Sequence, residues 1–290
     1  MTTTREHDRA AARAVRLTGE RPRRGATPDS ILALHDAGYR AVLERLGPGR
    51  VLDVGCGEGF ESLRFTGGGD RQVLGVDYAH EATEAARHVA LDAATDGAPH
   101  APAQPDRPAF SVARMEALSL GLSGGAFDAV CSSHLIEHFS EPSAHVAEVA
   151  RVTADTGTAF FLTPNAPADF ENPFHLRLFE PKDLGELLRA YFDDVWVGGV
   201  DATARVKADF ASRREKAEKV LRLDVFDIRH RIPRSWYIAL YTRLLPIAYA
   251  LVARGGRDGA SGITADDWFV TEDVDDTTLV LFAVCRRPRR

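Results

Sequence analysis

Apolar and polar positions alternate along this chain in two rhythms. Between residues 28 and 46, Ile31, Leu32, Leu34, Tyr39, Val42, Leu43 and Leu46 recur at helical spacing, and Gly47-Pro48-Gly49 ends the run. From residue 50 onward, short apolar runs predict strands at 50–54, 72–77, 109–113, 127–132, 158–163, 193–200 and 277–284. Helical patterns fall between them at 60–66, 80–92, 140–152 and 181–190. Strands alternating with helices predict a doubly wound α/β sheet, with ligands at the carboxyl ends of its strands.

Two stretches break the alternation. Residues 95–108 carry Pro99, Pro102, Pro105 and Pro108 and predict a surface loop. Residues 203–275 hold a charged helix at 205–220, an aromatic-rich stretch from Trp236 to Ala253, and an acidic loop with Asp266, Asp267, Glu272, Asp273 and Asp275 that runs on into Asp276. That segment is too long for a plain connection and predicts an inserted, mostly helical cap. The organisation expected is a flexible basic arm at 1–27, a main domain at 28–202 plus 276–290, and the cap at 203–275. The aromatic stretch suits a lid over a hydrophobic substrate, a homodimer surface, cap core or an interfacial membrane contact.

Composition narrows the class. Of 290 residues, 44% are hydrophobic and 27% charged, ordinary values that exclude global disorder. The net charge of -6 argues against a nucleic-acid partner. It is unevenly spread, since residues 1–24 hold seven arginines against three acids. Cys56, Cys131 and Cys285 show no CxxC spacing and read as free thiols. No apolar leader opens the chain, and the aromatic stretch is interrupted by Arg243 and Pro246, so a cytoplasmic bacterial protein without membrane insertion is expected.

The most informative run is Val51-Leu52-Asp53-Val54-Gly55-Cys56-Gly57-Glu58-Gly59. An apolar strand ends in an acid and passes into a glycine loop that lets backbone approach a ligand. Asp77 closes the next strand, at a spacing suited to ribose hydroxyls. A carboxylate at Asp53 would repel a pyrophosphate and attract a cation, which favours a sulfonium-bearing cofactor over a dinucleotide.

A second cluster follows the fourth strand. His134, Glu137 and His138 stand at i, i+3 and i+4, one face of a helix, and read as His-x-x-Glu-His. His175 follows the fifth strand, whose loop neighbours the fourth in such a sheet. The four could converge on a divalent ion, and three imidazoles with one carboxylate favour zinc, manganese, iron or cobalt over magnesium. A metal-free acid/base role for His134 and His138, or a merely structural one, reads the same residues differently.

These motifs, with Leu74–Asp77, Phe127–Phe139 and Phe161–Asn165, resemble those of class I S-adenosylmethionine (SAM)-dependent methyltransferases. The resemblance covers about residues 30–200 and 277–287. It implies a seven-stranded Rossmann-like sheet with an antiparallel last strand. It also implies that Asp53, Gly55, Cys56, Gly57 and Gly59 cradle the methionine part of SAM and that Asp77 takes the ribose. Tyr78, Met115 and Glu116 would surround the adenine, and Ser132 and Ser133 the methionine amine. Arg114 stands where the family usually has Asp. His35 and Tyr39 match a helix that often closes over SAM. The cluster at 134–138 is similar to that of metal-dependent small-RNA 2′-O-methyltransferases and ubiquinone-pathway O-methyltransferases.

The expected function is methyl transfer from SAM to a hydroxyl of a small metabolite or sugar of specialised metabolism, assisted by a divalent metal that chelates the acceptor. The alternatives are a metal-independent O- or N-methyltransferase with a histidine base, RNA 3′-end methylation, a His-x-x-Glu-His metallohydrolase, and a catalytically dead SAM-fold subunit.

Overall fold

A computed structural model describes residues 27–67, 69–95, 109–169, 172–221, 233, 236–244 and 262–290. The basic arm, the proline-rich loop at 96–108 and the second half of the aromatic stretch lie outside the described residues.

Helix α1 (Asp29–Leu43) precedes β1 (Gly49–Val54), α2 (Phe60–Arg64), β2 (Arg71–Asp77), α3 (His80–Thr95) and β3 (Phe110–Arg114). Then come β4 (Phe127–Ser133), a single 3-10 turn at Ile136–His138, α4 (Pro142–Val152), β5 (Thr153–Pro164), α5 (Pro181–Arg189) and β6 (Phe192–Ala202). Helix α6 (Ala204–Leu221), a helical segment at 236–244, β7 (Trp268–Thr271) and β8 (Val280–Pro288) complete the order.

The strands form one sheet in the order β3-β2-β1-β4-β5-β8-β6-β7. The first five are parallel, with Val51 opposite Val73 on one side and Ala129 on the other. Strand β8 runs antiparallel between β5 and β6. The order reverses between β1 and β4, so the loops leaving both strands open into one crevice. The sheet is buried on both faces, as a parallel sheet covered by helices must be. On β5, Phe160 and Leu162 join the core under α1, while Phe161 and Ala159 join the core under α4 and α5. Each such phenylalanine contributes roughly 1.5–3 kcal/mol by leaving water.

Three expectations change. The sheet has eight strands, because Trp268–Thr271 pairs antiparallel with β6 inside the segment read as cap and acidic loop. Trp268 is buried against Phe210 of α6, with ring centroids 6.0 Å apart, and this anchors so short a strand. The arginine-rich end at 286–290, which by sequence alone reads as a solvated tail, is tied to the fold. Strand β8 runs to Pro288, Arg286 and Arg289 pair with Asp194 and Asp193, and Arg290 reaches Asp155. Arg290 also caps α4 by donating to the Ala150 and Arg151 carbonyls at 3.2 and 3.1 Å. Finally, residues 134–138 form no α-helix, so the face on which a His-x-x-Glu-His site depends does not exist.

No disulfide joins the three cysteines, all of which are buried. Among the described residues, no helix is long and apolar enough to cross a membrane.

Candidate active site

The glycine loop leaves β1 with three left-handed residues, Gly55, Gly57 and Gly59. Gly59 begins α2 at φ +78, and a Cβ there would stand 2.8 Å from the Ala86 Cβ. Gly57 differs: at φ +54, a Cβ would meet nothing within 4 Å, so its bare face looks into open space. Asp77, at the end of β2, holds this loop. Its carboxylate accepts from the Gly57 N–H at 3.1 Å and from the Ala79 N–H at 2.9 Å.

Two cavities flank the loop. One of about 250 Å³ lies among Asp77, Tyr78, Met115, Glu116 and Ala117. The other, about 630 Å³, lies between α1 and the glycine loop, with His35, Tyr39, Cys56 and Ser133 in its wall. Gly55 and His134 line both, so the cavities share a wall there. Ile263, Thr264 and Ala265 close the larger one, and nothing in the local sequence pattern signals that role. Arg40 of α1 fastens that segment, donating to the Ala265 carbonyl, to the Trp268 carbonyl at 3.3 Å and to Asp266 at 2.5 Å.

Asp53 does not face the larger cavity as the cation argument requires. It is wholly buried beneath the loop, where Ser62 and Tyr39 donate to its oxygens. Burial pushes its carboxyl up to about 6, against the lowering effect of the Ser62, Tyr39 and Cys131 hydrogen bonds. Burial likewise raises the Tyr39 hydroxyl, with the Asp53 charge adding to it. Asp53 therefore shapes the loop from behind.

The two serines part company. Ser133 lines the larger cavity, and its buried hydroxyl has no hydrogen-bond partner. Ser132 is fully buried and bonded 2.8 Å to Nε2 of His145, so it turns away from the place that the resemblance gave it. Arg114, in the position of the family's usual Asp, donates to the Tyr78 carbonyl at 2.8 Å and holds the backbone at the mouth of the smaller cavity.

The histidine cluster also divides. Ligating atoms of Glu137, His138 and His175 lie within 4.8 Å of one another. His134 is not in this group. Its backbone sits at φ +50, a strained value for a non-glycine residue. Its ring stands 4.3 Å from that of His35, and its Nδ1 is 3.5 Å from Glu137 Oε1. Burial, then the neighbouring His134, holds His35 well below the usual histidine range.

The trio is well supported. Glu137 is completely buried, accepts from the Thr163 hydroxyl at 3.0 Å through Oε2, and leaves Oε1 without a hydrogen bond. Burial opposes its charge, yet the neighbouring imidazoles, His134 first with its Nδ1 3.5 Å from Oε1 and then His138 and His175, hold it below the usual range. His138 Nδ1 lies 3.0 Å from the Phe174 carbonyl, which can only accept, so its Nε2 carries the lone pair. His175 Nδ1 bonds Asp169 at 2.9 Å. Burial works against its charge, but Asp169 and Glu137 outweigh this and raise its pKa. Its Nε2 meets the Asn172 amide at 3.1 Å.

Asp169 and His145 escaped the sequence analysis. Asp169 has no regular spacing to its partner. His145 does carry a signal, because it sits beside Val146 on the apolar side of α4.

Residues 52–161 match the methyltransferase domain family. A probable SAM-dependent methyltransferase of Mycolicibacterium smegmatis is 30% identical over 188 residues, 62% of this chain and 66% of that protein. The ubiquinone biosynthesis O-methyltransferase of Neisseria meningitidis is 32% identical over 117 residues, 40% of this chain and 44% of that protein. The chain thus spans less than two thirds of these curated relatives. Among solved structures, the [4+2]-cyclase SpnF shares the fold at a TM-score of 0.53 and 21% identity, covering 87% of this chain and 81% of that one.

Proposed function

The chain belongs to the class I SAM-dependent methyltransferases, and from that membership we propose that it methylates a hydroxyl group of a small metabolite. The observation that carries this reading is the wall shared by the two cavities at Gly55 and His134. A space of about 250 Å³ thereby adjoins a histidine-bearing one of about 630 Å³, which suits a nucleoside beside an acceptor. SAM supplies an electrophilic methyl group, so catalysis is mainly a matter of positioning.

The chain's own residues divide that task. Asp77, Tyr78, Met115 and Glu116 hold the adenosine, and the Gly55–Gly59 loop with Ser133 holds the methionine end. Ile263, Thr264 and Ala265, from the 203–275 segment, wall the acceptor space and set its specificity. His134 Nε2, buried without a hydrogen-bond partner, accepts the proton of the acceptor hydroxyl. Nδ1 of the same ring stands 3.5 Å from Glu137 Oε1.

Glu137, His138 and His175 suit a divalent ion. The orphaned Glu137 Oε1 and the His138 Nε2 lone pair are ready donors, and Asn172 would release His175. Imidazole with carboxylate favours zinc, manganese, iron or cobalt over magnesium. A bound ion would supply Lewis acidity toward the acceptor hydroxyl.

Calorimetry with SAM and its demethylated product, followed by transfer of labelled methyl to a panel of hydroxylated acceptors before and after chelation, tests the proposal. SAM binding and chelator-sensitive labelling of oxygen are expected. Absence of SAM binding overturns the cofactor reading, and label found only on nitrogen overturns the acceptor class. Undiminished turnover in metal-stripped protein leaves His134 acting without an ion.

A further inference from the structure

Helix α4 lies behind the smaller cavity and grips one loop at three points. His145, Glu148 and Arg151 follow each other at intervals of three residues, along one side of the helix. At the far end of the loop, Glu148 accepts from the Leu120 N–H at 2.6 Å, and Arg151 donates to the Leu120 and Leu122 carbonyls at 2.8 and 2.7 Å. At the near end, His145 Nδ1 lies 3.2 Å from the carbonyl of Ala117, which lines the cavity beside Met115 and Glu116. Its ring also backs onto Phe139, another wall residue, at 5.1 Å between centroids.

A carbonyl can only accept, so His145 Nδ1 carries the proton and Nε2 the lone pair. Ser132 therefore donates its hydroxyl to Nε2 at 2.8 Å. Burial holds His145 down to about 4, which keeps this neutral tautomer in place at physiological pH. The result is a directed chain, from Ser132 through His145 to Ala117. It ties the end of β4, next to the cavity-lining Ser133 and His134, to the loop that walls the smaller cavity.

The geometry points to His145 as a positioning residue that sets the Met115–Ala117 wall for the adenosine of SAM. This rests on the smaller cavity being the cofactor pocket. His145 touches neither cofactor nor acceptor; it acts through Ala117, while Ser132 holds the far side of its ring.

The two ends of the imidazole can be separated with full-length protein. In His145→Asn the side-chain amide nitrogen replaces Nδ1 and keeps the Ala117 bond. In His145→Gln the amide reaches the place of Nε2 and keeps the Ser132 bond. His145→Phe keeps the packing against Phe139 and Phe161 and removes both bonds.

The affinities for SAM and its demethylated product are measured by calorimetry, with hydrogen exchange at residues 115–120 and kcat at saturating SAM. His145→Gln and His145→Phe should weaken SAM about tenfold, the scale of one lost buried hydrogen bond, and speed exchange in that loop. His145→Asn should stay within about threefold of wild type, and kcat at saturating SAM should hold within about twofold in all three.

Equal SAM affinity in all variants, or equal loss in the Asn and Gln variants, overturns the inference. The Asn and Gln comparison stands even where the Phe variant fails to fold. Wild-type protein that binds no SAM at all overturns the cofactor reading itself.

Discussion

The Tyr39 hydroxyl stands 3.3 and 3.2 Å from the two carboxylate oxygens of Asp53 and separates that buried acid from the larger cavity. With Ser62 on the other side, the acid of the glycine-loop motif is consumed within the protein.

A stability signature follows from this burial. The Asp53 carboxyl is raised from 3.8 to about 6, so the folded state holds this proton more tightly than the unfolded chain. The stability it contributes is complete below about pH 4 and is lost as pH rises through about 6. Between pH 4 and pH 7, wild type should therefore lose about 2–3 kcal/mol of unfolding free energy relative to Asp53→Asn. Urea titrations at the two pH values check this, and parallel pH slopes in the two proteins would refute it.

The glycines of the loop should separate binding from folding. Gly59→Ala forces a Cβ to within 2.8 Å of Ala86 and 3.1 Å of Phe110, so it should cost about 2 kcal/mol or more in stability. Gly57→Ala meets no neighbour and carries only the left-handed backbone strain of about 1 kcal/mol. Its Cβ enters space beside the loop, so SAM affinity should fall at least about tenfold. Thermal melts with calorimetry distinguish the two, and a Gly57→Ala protein that binds SAM normally would contradict the placement of the methionine end.

Removing histidines one at a time should sort them into two kinds. His138→Ala and His175→Ala should lower metal content in elemental analysis. His134→Ala should keep the metal and reduce kcat by about 10²-fold or more. Metal loss in His134→Ala with full occupancy in the other two would reverse the assignment.

Arg40 and Asp266 should not be equivalent, although they form one ion pair. Asp266 is 88% exposed, so Asp266→Ala should change stability by less than about 1 kcal/mol. Arg40→Ala also abandons the Ala265 and Trp268 carbonyls and should cost about 1–3 kcal/mol. Its main effect should be a raised KM for the acceptor with little change for SAM. Equal KM values for wild type and Arg40→Ala would show that the 263–265 wall does not contact the acceptor.

Legibility from sequence tracked the range of each interaction. The strands at 50–54, 72–77 and 127–132 were readable because each carries its own apolar run. The glycine loop was readable because left-handed backbone favours one residue type. Strand β7 was not: four residues flanked by acids carry too little pattern, and their partner lies on β6. The position of Asp53 between an apolar strand and a glycine loop carries no sign of its burial, and only packing brings Tyr39 and Ser62 over it.

Sequence by itself determined seven of the eight strands, the loop that follows β1, and the residue types gathered at the crevice, since periodicity and spacing are properties of neighbours along the chain. Tertiary structure alone decided which histidines meet. His134 and His138 are four residues apart yet serve different surroundings, because the chain between them turns through φ +50 and a 3-10 turn instead of an α-helix. It also decided that Ser132 faces His145, and that residues 263–265 wall a cavity begun by residue 29. These pairings depend on how distant elements pack, which no local pattern encodes.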